Sequence, residues 1–353
     1  MIKREAYMRR IRPFIDKDLV KILTGIRRCG KSVMLELIKE ELVQRGIGTN
    51  RFICVNFENR ENQNLCTVDK LHQYVSERIK NIAGKAYLFF DEIQEVEAWE
   101  KCVNSLRVNF DVDIYITGSN ANLLSGEFST YLAGRYVAFT IYPFSFAEFA
   151  EMYRTLNENA SDAETFKQYI LFGGMPFLSN LNYQPEPCNQ YLQDIYNSVV
   201  LKDVMKRNNI RDVDFLERII MYIFANVGKT FSATSISKYF KSENRSISPE
   251  TVLNYIKACE DAFLLYRANR QNLIGKKILA VSEKYYVADH GLREAIYGKN
   301  NLDIEIVLEN VVYMELLKRG YSVTIGKIGD FEVDFVTEKQ GELSYIQVAY
   351  LLA

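Results

Sequence analysis

The sequence predicts an α/β protein whose first part is a parallel β-sheet covered by helices. Two observations support this prediction. In residues 20–142, short apolar segments alternate with longer amphipathic ones, and strands that alternate with helices form parallel sheets. From Pro143 onward the pattern becomes mostly helical. A chain of 353 residues is longer than a domain with one hydrophobic core usually is, so we expect further domains after the first.

The strands of the first part are short apolar segments rich in β-branched and aromatic residues. They are predicted at 20–24, 52–55, 86–90, 113–117 and 136–141. Segments with apolar residues at helical spacing lie between them, at 31–45, 65–82 and 96–110. A parallel sheet binds ligands beyond the carboxyl ends of its strands, so functional residues are expected there.

The second part is predicted to be helical first and to return to strands late. Residues 144–227 form a helical lid and connecting region, and 228–283 form a small module that is predicted to be helical over 228–268. Strands are expected again from about 284, with a helix at 303–318. The predicted domains are therefore 1–143, 144–227, 228–283 and 284–353.

Composition excludes several classes of protein. The net charge is −1 and the pI is near 6.3, so any nucleic-acid contact must be a local patch. No apolar run approaches the roughly 18 residues that span a bilayer. The charged segment from Met1 to Arg12 does not resemble a signal peptide, which predicts a cytoplasmic protein. Six scattered cysteines and two histidines argue against a zinc site or a disulfide framework.

Residues 25–32 read GIRRCGKS, which fits the P-loop pattern GxxxxGK[ST] between a strand and a helix. The glycines let backbone N–H groups surround phosphates, and the helix N-terminus adds the positive end of its dipole. We expect Lys31 to neutralise phosphate charge and Ser32 to bind Mg²⁺, so the predicted ligands are ATP and Mg²⁺. Arg27 and Arg28 face either phosphate or solvent, with solvent as the default. The residues predicted to bind nucleotide are Gly25, Ile26, Arg27, Arg28, Cys29, Gly30, Lys31, Ser32 and Val33.

Residues 88–92 read LFFDE, an apolar strand that ends in two carboxylates, as in a Walker B motif. Asp91 is predicted to hold Mg²⁺ and Glu92 to polarise the attacking water. After the next strand come Thr117, Ser119 and Asn120, any of which could sense the γ-phosphate. A simple turn containing Gly118 is the alternative.

Arg135 precedes the fifth predicted strand. An arginine at this position could act as an arginine finger, either in cis or from a neighbouring subunit of a homo-oligomer. A surface arginine is the other interpretation.

Together these motifs resemble the prokaryotic AAA-type ATPases of the archaeal-ATPase-like group, which carry a C-terminal domain of unknown function. The matching segments are 23–32, 91–94 with Trp99, 117–120, 132–135, 143–149, 172–176, 309–310, 332–335 and 346–350. The resemblance covers nearly the whole chain. It implies a P-loop ATPase core, a winged-helix-like module and a C-terminal α/β core similar to PD-(D/E)xK nucleases.

The nuclease-like core is predicted to be degenerate. Glu309 and Asp334 occupy the first two acidic positions, but Gln347 and Ala349 stand where Glu and Lys are required. Nuclease activity is therefore not expected. The sequence ends at Ala353, soon after the third strand, so this core is expected to be incomplete.

The module at 228–283 contains a predicted helix-turn-helix, with Ser248 as an N-cap and Pro249 as the first helical residue. Its local positive charge is compatible with DNA, with a solvated face or with a protein partner; the basic residues are Lys229, Lys238, Lys241 and Arg245. The first functional hypothesis is an ATPase whose C-terminal domains act on an unidentified protein or nucleic-acid partner. The alternatives are a nucleotide-controlled switch with little turnover and a DNA-acting ATPase.

Overall fold

The computed structural model describes residues 2–124, 131–230, 232–243, 245–273, 277–298, 304–329 and 331–350, with only the backbone of 122, 124 and 277–282. The chain forms two compact units. The first comprises Met1–Gly25 and Cys29–Ile141, and the second comprises Ile26–Arg28 and Tyr142–Ala353. Three residues of the P-loop thus belong to the second unit.

The first unit is a five-stranded parallel sheet covered by helices, as predicted. Its helices are α1 (Glu5–Ile11), α2 (Lys31–Gln44), α3 (Val68–Ile79) and α4 (Trp99–Asn109). Its strands are β1 (Val20–Thr24), β2 (Phe52–Asn56), β3 (Ala86–Asp91), β4 (Val112–Gly118) and β5 (Tyr136–Thr140). The strand order is β2-β3-β4-β1-β5, so β4 separates the P-loop strand from the strand that carries Asp91.

The five predicted strands are confirmed within one or two residues at each end. β1, β3 and β4 are buried along their whole length, which explains their continuous apolar sequence. Two predicted helices are too long. α3 begins at Val68 because residues Arg60–Leu65 form a 3₁₀ helix, and α4 begins only at Trp99 because Ala98 has a left-handed φ of 49°.

A buried charged network lies at the amino end of this sheet, the end opposite the P-loop. The Lys21 ammonium pairs with the Asp113 carboxylate, and both side chains are fully buried. Asp113 also accepts hydrogen bonds from the Tyr115 hydroxyl at 2.7 Å and from the Asp16 backbone N–H at 2.9 Å. Burial lowers the pKa of Lys21, while the charge of Asp113 opposes that change.

The second unit begins with helices and ends with a second five-stranded sheet. The helices are α5 (Phe146–Leu156), α6 (Asp162–Phe172), α7 (Pro185–Ser198), α8 (Val213–Ala225), α9 (Ala233–Ser242), α10 (Pro249–Asp261), α11 (His290–Tyr297) and α12 (Ile304–Lys318). A π-helical segment, Val199–Lys206, follows α7 directly. The strands are β6 (Leu265–Asn272), β7 (Lys277–Val287), β8 (Ser322–Ile328), β9 (Phe331–Lys339) and β10 (Glu342–Ile346), in the order β10-β9-β8-β6-β7.

The prediction that strands return only at about residue 284 is wrong. β6 begins at Leu265 and pairs with both β7 and β8, and β7 crosses the predicted boundary at 283/284. The sequence of β6, LYRANRQN, is too polar for an apolar-run criterion to detect. The predicted N-cap is confirmed, because the Ser248 hydroxyl accepts from the Thr251 N–H and Pro249 starts α10.

A capping box explains the start of α5, where the Ser145 hydroxyl accepts from the Glu148 N–H and the Glu148 carboxylate accepts from the Ser145 N–H. Nearby, the FGGMP segment at 172–176 packs against the start of α11. The Gly174 N–H donates to Asp289 at 2.6 Å, and a Cβ on Gly173 would lie 2.1 Å from Asp289. This segment therefore has a packing role that requires glycine.

His290, in the same region, should make stability depend on pH. It is fully buried, bonds the Tyr169 carbonyl at 2.7 Å, and has a pKa lowered by burial. Below a pH of about 6.5 the unfolded histidine takes up a proton that the folded one resists, so stability falls as pH falls. In urea unfolding at pH 5.5 and 7.5, His290→Gln should lose less stability on acidification than the unchanged chain, by up to about 1.4 kcal/mol per pH unit.

The other histidine provides the control for this experiment. His72 lies on α3, where its ring contacts Ser76 and Ser105, and His72→Gln serves as the comparison for losing a histidine outside the buried site of His290. Equal pH dependence of stability in His290→Gln and the unchanged chain would contradict this role of His290.

Among the described residues, no helix is both long and apolar enough to cross a membrane.

Candidate nucleotide-binding site

Two positions of the P-loop have backbone conformations that favour glycine. Gly25 has φ of 142° and Gly30 has φ of 101°, both in the region that disfavours side chains. A Cβ on Gly25 would lie 2.1 Å from the Ile141 carbonyl oxygen. Gly30 is the N-cap of α2, so the loop leads directly into a helix N-terminus.

Lys31 points into the site and contacts both the loop and the end of β3. It is only 4% exposed. Its ammonium donates to the Gly25 carbonyl at 3.2 Å and lies 3.5 Å from the Glu92 carboxylate. The lysine and the predicted catalytic base therefore neutralise each other in this arrangement.

Asp91 lies at the carboxyl end of β3, surrounded by hydrogen-bond donors. It accepts from the Thr117 hydroxyl, from Ser32 and from the Asn56 amide at 3.1 Å. Burial raises the pKa of Asp91, and the hydrogen bonds from Thr117 and Ser32 oppose that rise. Asn56 was not predicted as a site residue. Its position at the end of β2, the strand beside β3, could have indicated it.

Glu92 has a left-handed backbone, with φ of 56° and ψ of 52°. Non-glycine residues held in this region are strained and cluster at functional sites. The Glu92 N–H donates to the Thr117 hydroxyl at 2.9 Å, and the Gln94 amide donates to the Glu92 carboxylate. Gln94 was not predicted as a site residue, although it belongs to the DEIQ segment.

The sensor candidates lie at the end of β4, between the P-loop strand and the Asp91 strand. All three are buried: Thr117, Ser119 and Asn120. The Thr117 hydroxyl bonds both Asp91 and the Glu92 backbone N–H, so it orients the Asp91 carboxylate and fixes the backbone of Glu92. Which residue senses phosphate stays a prediction.

The structure places Arg135 away from the P-loop of its own chain, which counts against a finger in cis. Arg135 is exposed, and its carbonyl accepts from the Val20 N–H at 2.9 Å, at the amino end of β1. The P-loop follows the carboxyl end of β1, about 13 Å away at ~3.3 Å per residue. Action on a neighbouring subunit stays a prediction.

Arg27 and Arg28 differ in their surroundings. Arg28 is exposed, in line with the default expectation of solvent. Within the second unit, the Arg27 guanidinium donates to the buried Asp203 carboxylate at 3.0 Å and 3.4 Å, so it faces a carboxylate instead of solvent. Asp203 lies in the π-helical segment and also pairs with Arg207 at 3.2 Å. No sequence pattern pointed to Asp203. Val33, the last of the residues predicted to bind nucleotide, is 39% exposed at the start of α2.

These residues fit the predicted ligands. Gly25 and Gly30 have the positive φ values with which a glycine loop can surround phosphate with its N–H groups. The Thr24 hydroxyl, directly before the loop, is buried and has no hydrogen-bond partner among the described residues. Ser32 and Asp91 supply the hydroxyl and carboxylate oxygens that Mg²⁺ prefers. ATP and Mg²⁺ are therefore compatible with the side chains present.

Two of the nuclease-like positions, Asp334 and Gln347, contact each other, and the third, Glu309, pairs with Lys284. The Asp334 N–H donates to Gln347 at 3.4 Å, and the Val348 N–H donates to Asp334 at 2.8 Å. The Lys284 ammonium lies 3.2 Å from Glu309 and 2.7 Å from Glu332. Among the described residues, no group of three or more His, Cys, Asp or Glu side chains could hold a metal ion. The relationship to nucleases stays a prediction.

The fold and site define a P-loop NTPase of the AAA type. Residues 17–150 match the model of an AAA domain family, and residues 163–303 match a domain of unknown function, DUF8612. A Walker-type ATPase of Pyrococcus abyssi has a similar fold, with a TM-score of 0.58 at 14% identity, covering 84% of this chain and 95% of that one.

Two relatives are similar along nearly the whole chain. An uncharacterized protein of Haemophilus influenzae is 39% identical over 351 residues, which cover 99% of this chain and 87% of the relative. An uncharacterized protein of Methanocaldococcus jannaschii is 31% identical, over 94% of this chain and 75% of the relative. The chain therefore belongs to their family, the prokaryotic AAA-type ATPases with a C-terminal domain of unknown function.

Proposed function

We propose that the chain binds ATP with Mg²⁺ at residues 25–32 and hydrolyses the ATP. The observation that carries this proposal is the grouping at one end of one sheet: Lys31 lies 3.5 Å from Glu92, and Asp91 bonds Ser32. Nucleotide binding alone requires no carboxylate beyond that of Asp91. The separate, strained Glu92 beside the P-loop lysine supports turnover.

Each residue has a distinct task in this proposal. The N–H groups of the loop and the Lys31 ammonium bind the phosphates, and the Lys31 charge stabilises the charge that develops there. Ser32 and Asp91 would hold Mg²⁺, which when bound supplies further neutralisation of phosphate charge. Glu92 accepts the proton of the attacking water. Gln94 and Thr117 hold Glu92 in place through its carboxylate and its backbone N–H.

We further propose that hydrolysis rearranges the C-terminal domains on an unidentified partner. The support is the ion pair within the second unit between Arg27, a residue of the P-loop, and Asp203 in the π-helical segment, at 3.0 Å. A change in the loop on nucleotide binding would reach Arg27 and hence the π-helical segment. Such segments are frequent at functional sites.

A second candidate is a nucleotide-controlled switch with little turnover. The observation in its favour is that Lys31 and Gln94 both engage Glu92 in this arrangement, which competes with the role of Glu92 as a base. A DNA-acting ATPase is a weaker alternative. Lys229, Lys238 and Lys241 are exposed, but Arg245 pairs with Asp214 and lies over the Phe215 ring.

Phosphate release and ATP affinity test the proposal. The unchanged chain should release phosphate with Mg²⁺ and stop when EDTA is added. Lys31→Ala should weaken ATP binding about 100-fold, because it removes a charged donor from a buried site. Lys39→Ala, on the same helix, is the matched control and should bind normally. No Mg²⁺-dependent release with ATP still bound would favour the switch, and no ATP binding would overturn both candidates.

The partner is addressed by repeating the assay with single- and double-stranded DNA. Stimulation of phosphate release by DNA would favour the DNA-acting ATPase.

Light scattering with a slowly hydrolysed ATP analogue tests for a homo-oligomer. Assembly that depends on nucleotide would support action of Arg135 on a neighbouring subunit.

A further inference from the structure

We infer that Arg4 is a positioning residue of the P-loop, one that sets the direction of the Gly30 N–H group. This inference rests on the proposed function, because it concerns the binding of phosphate by that loop. The guanidinium of Arg4 donates from Nη1 to the Cys29 carbonyl oxygen at 3.1 Å, across 25 positions of sequence. Arg4 and Cys29 both belong to the first unit.

The consequence follows from the geometry of the peptide bond. The carbonyl of Cys29 and the N–H of Gly30 belong to one planar trans peptide unit and point in opposite directions. A donor that fixes the carbonyl on one side of the loop therefore fixes the N–H on the other side. Gly30 is the residue at which the loop turns into α2, where N–H groups bind phosphate.

The surroundings of Arg4 hold the guanidinium firmly. Arg4 is 3% exposed, and its guanidinium lies over the Tyr7 ring, 4.6 Å from the centroid. The next residues of α1 that face inward, Tyr7, Met8 and Ile11, are also buried. Long side chains lose considerable rotamer entropy when they are ordered, and the packing of Arg4 against Tyr7 imposes that loss within the protein itself.

The backbone of Arg4 supports a role beyond fastening the N-terminal segment. Its φ is 45° and its ψ is 47°, a left-handed conformation that costs a non-glycine residue free energy. Arg4 is the N-cap residue of α1, and its side chain is hydrogen-bonded to the P-loop. A burial role alone would be served by an apolar side chain, without a buried guanidinium.

Ligand affinities of Arg4→Gln test the inference. The Kd values for ADP and for pyrophosphate should both rise about 10- to 100-fold, because a hydrogen bond from a charged donor is lost at the loop. Pyrophosphate lacks a base and a sugar, so a parallel loss assigns the effect to the phosphate-binding groups. Arg9→Gln, which changes an exposed arginine of the same helix, should leave both Kd values unchanged.

Several outcomes would overturn the inference. A lower thermal midpoint with unchanged Kd values, measured where both proteins are folded, would show that Arg4 only fastens α1. A rise for ADP without a rise for pyrophosphate would assign Arg4 to the nucleoside. If Arg4→Gln does not fold, Tyr7→Leu removes the ring beneath the guanidinium and should raise both Kd values by a smaller factor; no rise would count against the inference. Failure of the unchanged chain to bind ADP would overturn the proposed function as well.

Discussion

Replacing Glu92 with Gln should abolish phosphate release while ATP stays bound. The amide keeps the shape of the side chain but cannot accept a proton from the attacking water, and general bases contribute about 10²- to 10⁴-fold to rate. Because Lys31 lies 3.5 Å from the Glu92 carboxylate, removal of that negative charge also frees the ammonium for phosphate. We therefore expect ATP affinity that is equal to or higher than that of the unchanged chain.

Single-turnover phosphate release and filter binding of ATP measure the two effects separately. Glu95→Gln is the matched control, since Glu95 is exposed in the 3₁₀ turn Ile93–Glu95 that follows Glu92, and this variant should turn over normally. Persistent release by Glu92→Gln would refute the role of Glu92 as the base. If the unchanged chain is as slow as Glu92→Gln, the switch hypothesis replaces hydrolysis.

The parts of the site that the sequence predicted are those carried by short local patterns. GIRRCGKS and LFFDE each combine a strand end with residues of defined chemistry, so both function and position follow from a few adjacent residues. The glycine conformations at Gly25 and Gly30 confirm the backbone that this pattern requires. The extra strand between β1 and β3 was likewise predictable, because the sensor segment follows an apolar strand.

The parts that the sequence did not predict depend on contacts between distant segments. Arg27 and Asp203 are 176 positions apart, and neither segment carries a pattern that specifies the other. Arg135 shows a related limit. Its place before a strand was correct, but its distance from the P-loop follows only from the parallel pairing of β5 with β1, in which Val20 is opposite Tyr136. β6 was missed because its polar sequence is compatible with a strand only once β7 and β8 are beside it.

Replacing Lys21 with Met should strongly destabilise the first unit without reaching the nucleotide site. The lysine and Asp113 are both fully buried, so the variant leaves a carboxylate in the interior without its cation. Removal of one partner from a buried ion pair typically costs about 3–5 kcal/mol. Urea unfolding followed by a probe in the first unit, such as the lone tryptophan Trp99 on α4, measures the loss.

The double variant Lys21→Met with Asp113→Asn separates charge from packing. The amide oxygen of Asn can still accept from Tyr115 or from the Asp16 N–H, the two donors that bond Asp113, and no unpaired charge is left in the interior. Since replacement of both charges of a buried pair is often close to neutral, the second change should restore most of the stability lost in the first. A double variant as unstable as Lys21→Met would instead assign the loss to the packing of the lysine stem.

The buried network of Lys21 and Asp113 lies at the amino ends of β1 and β4, whereas the P-loop follows the carboxyl end of β1. Any Lys21→Met protein that stays folded at low temperature should therefore bind ATP with unchanged affinity.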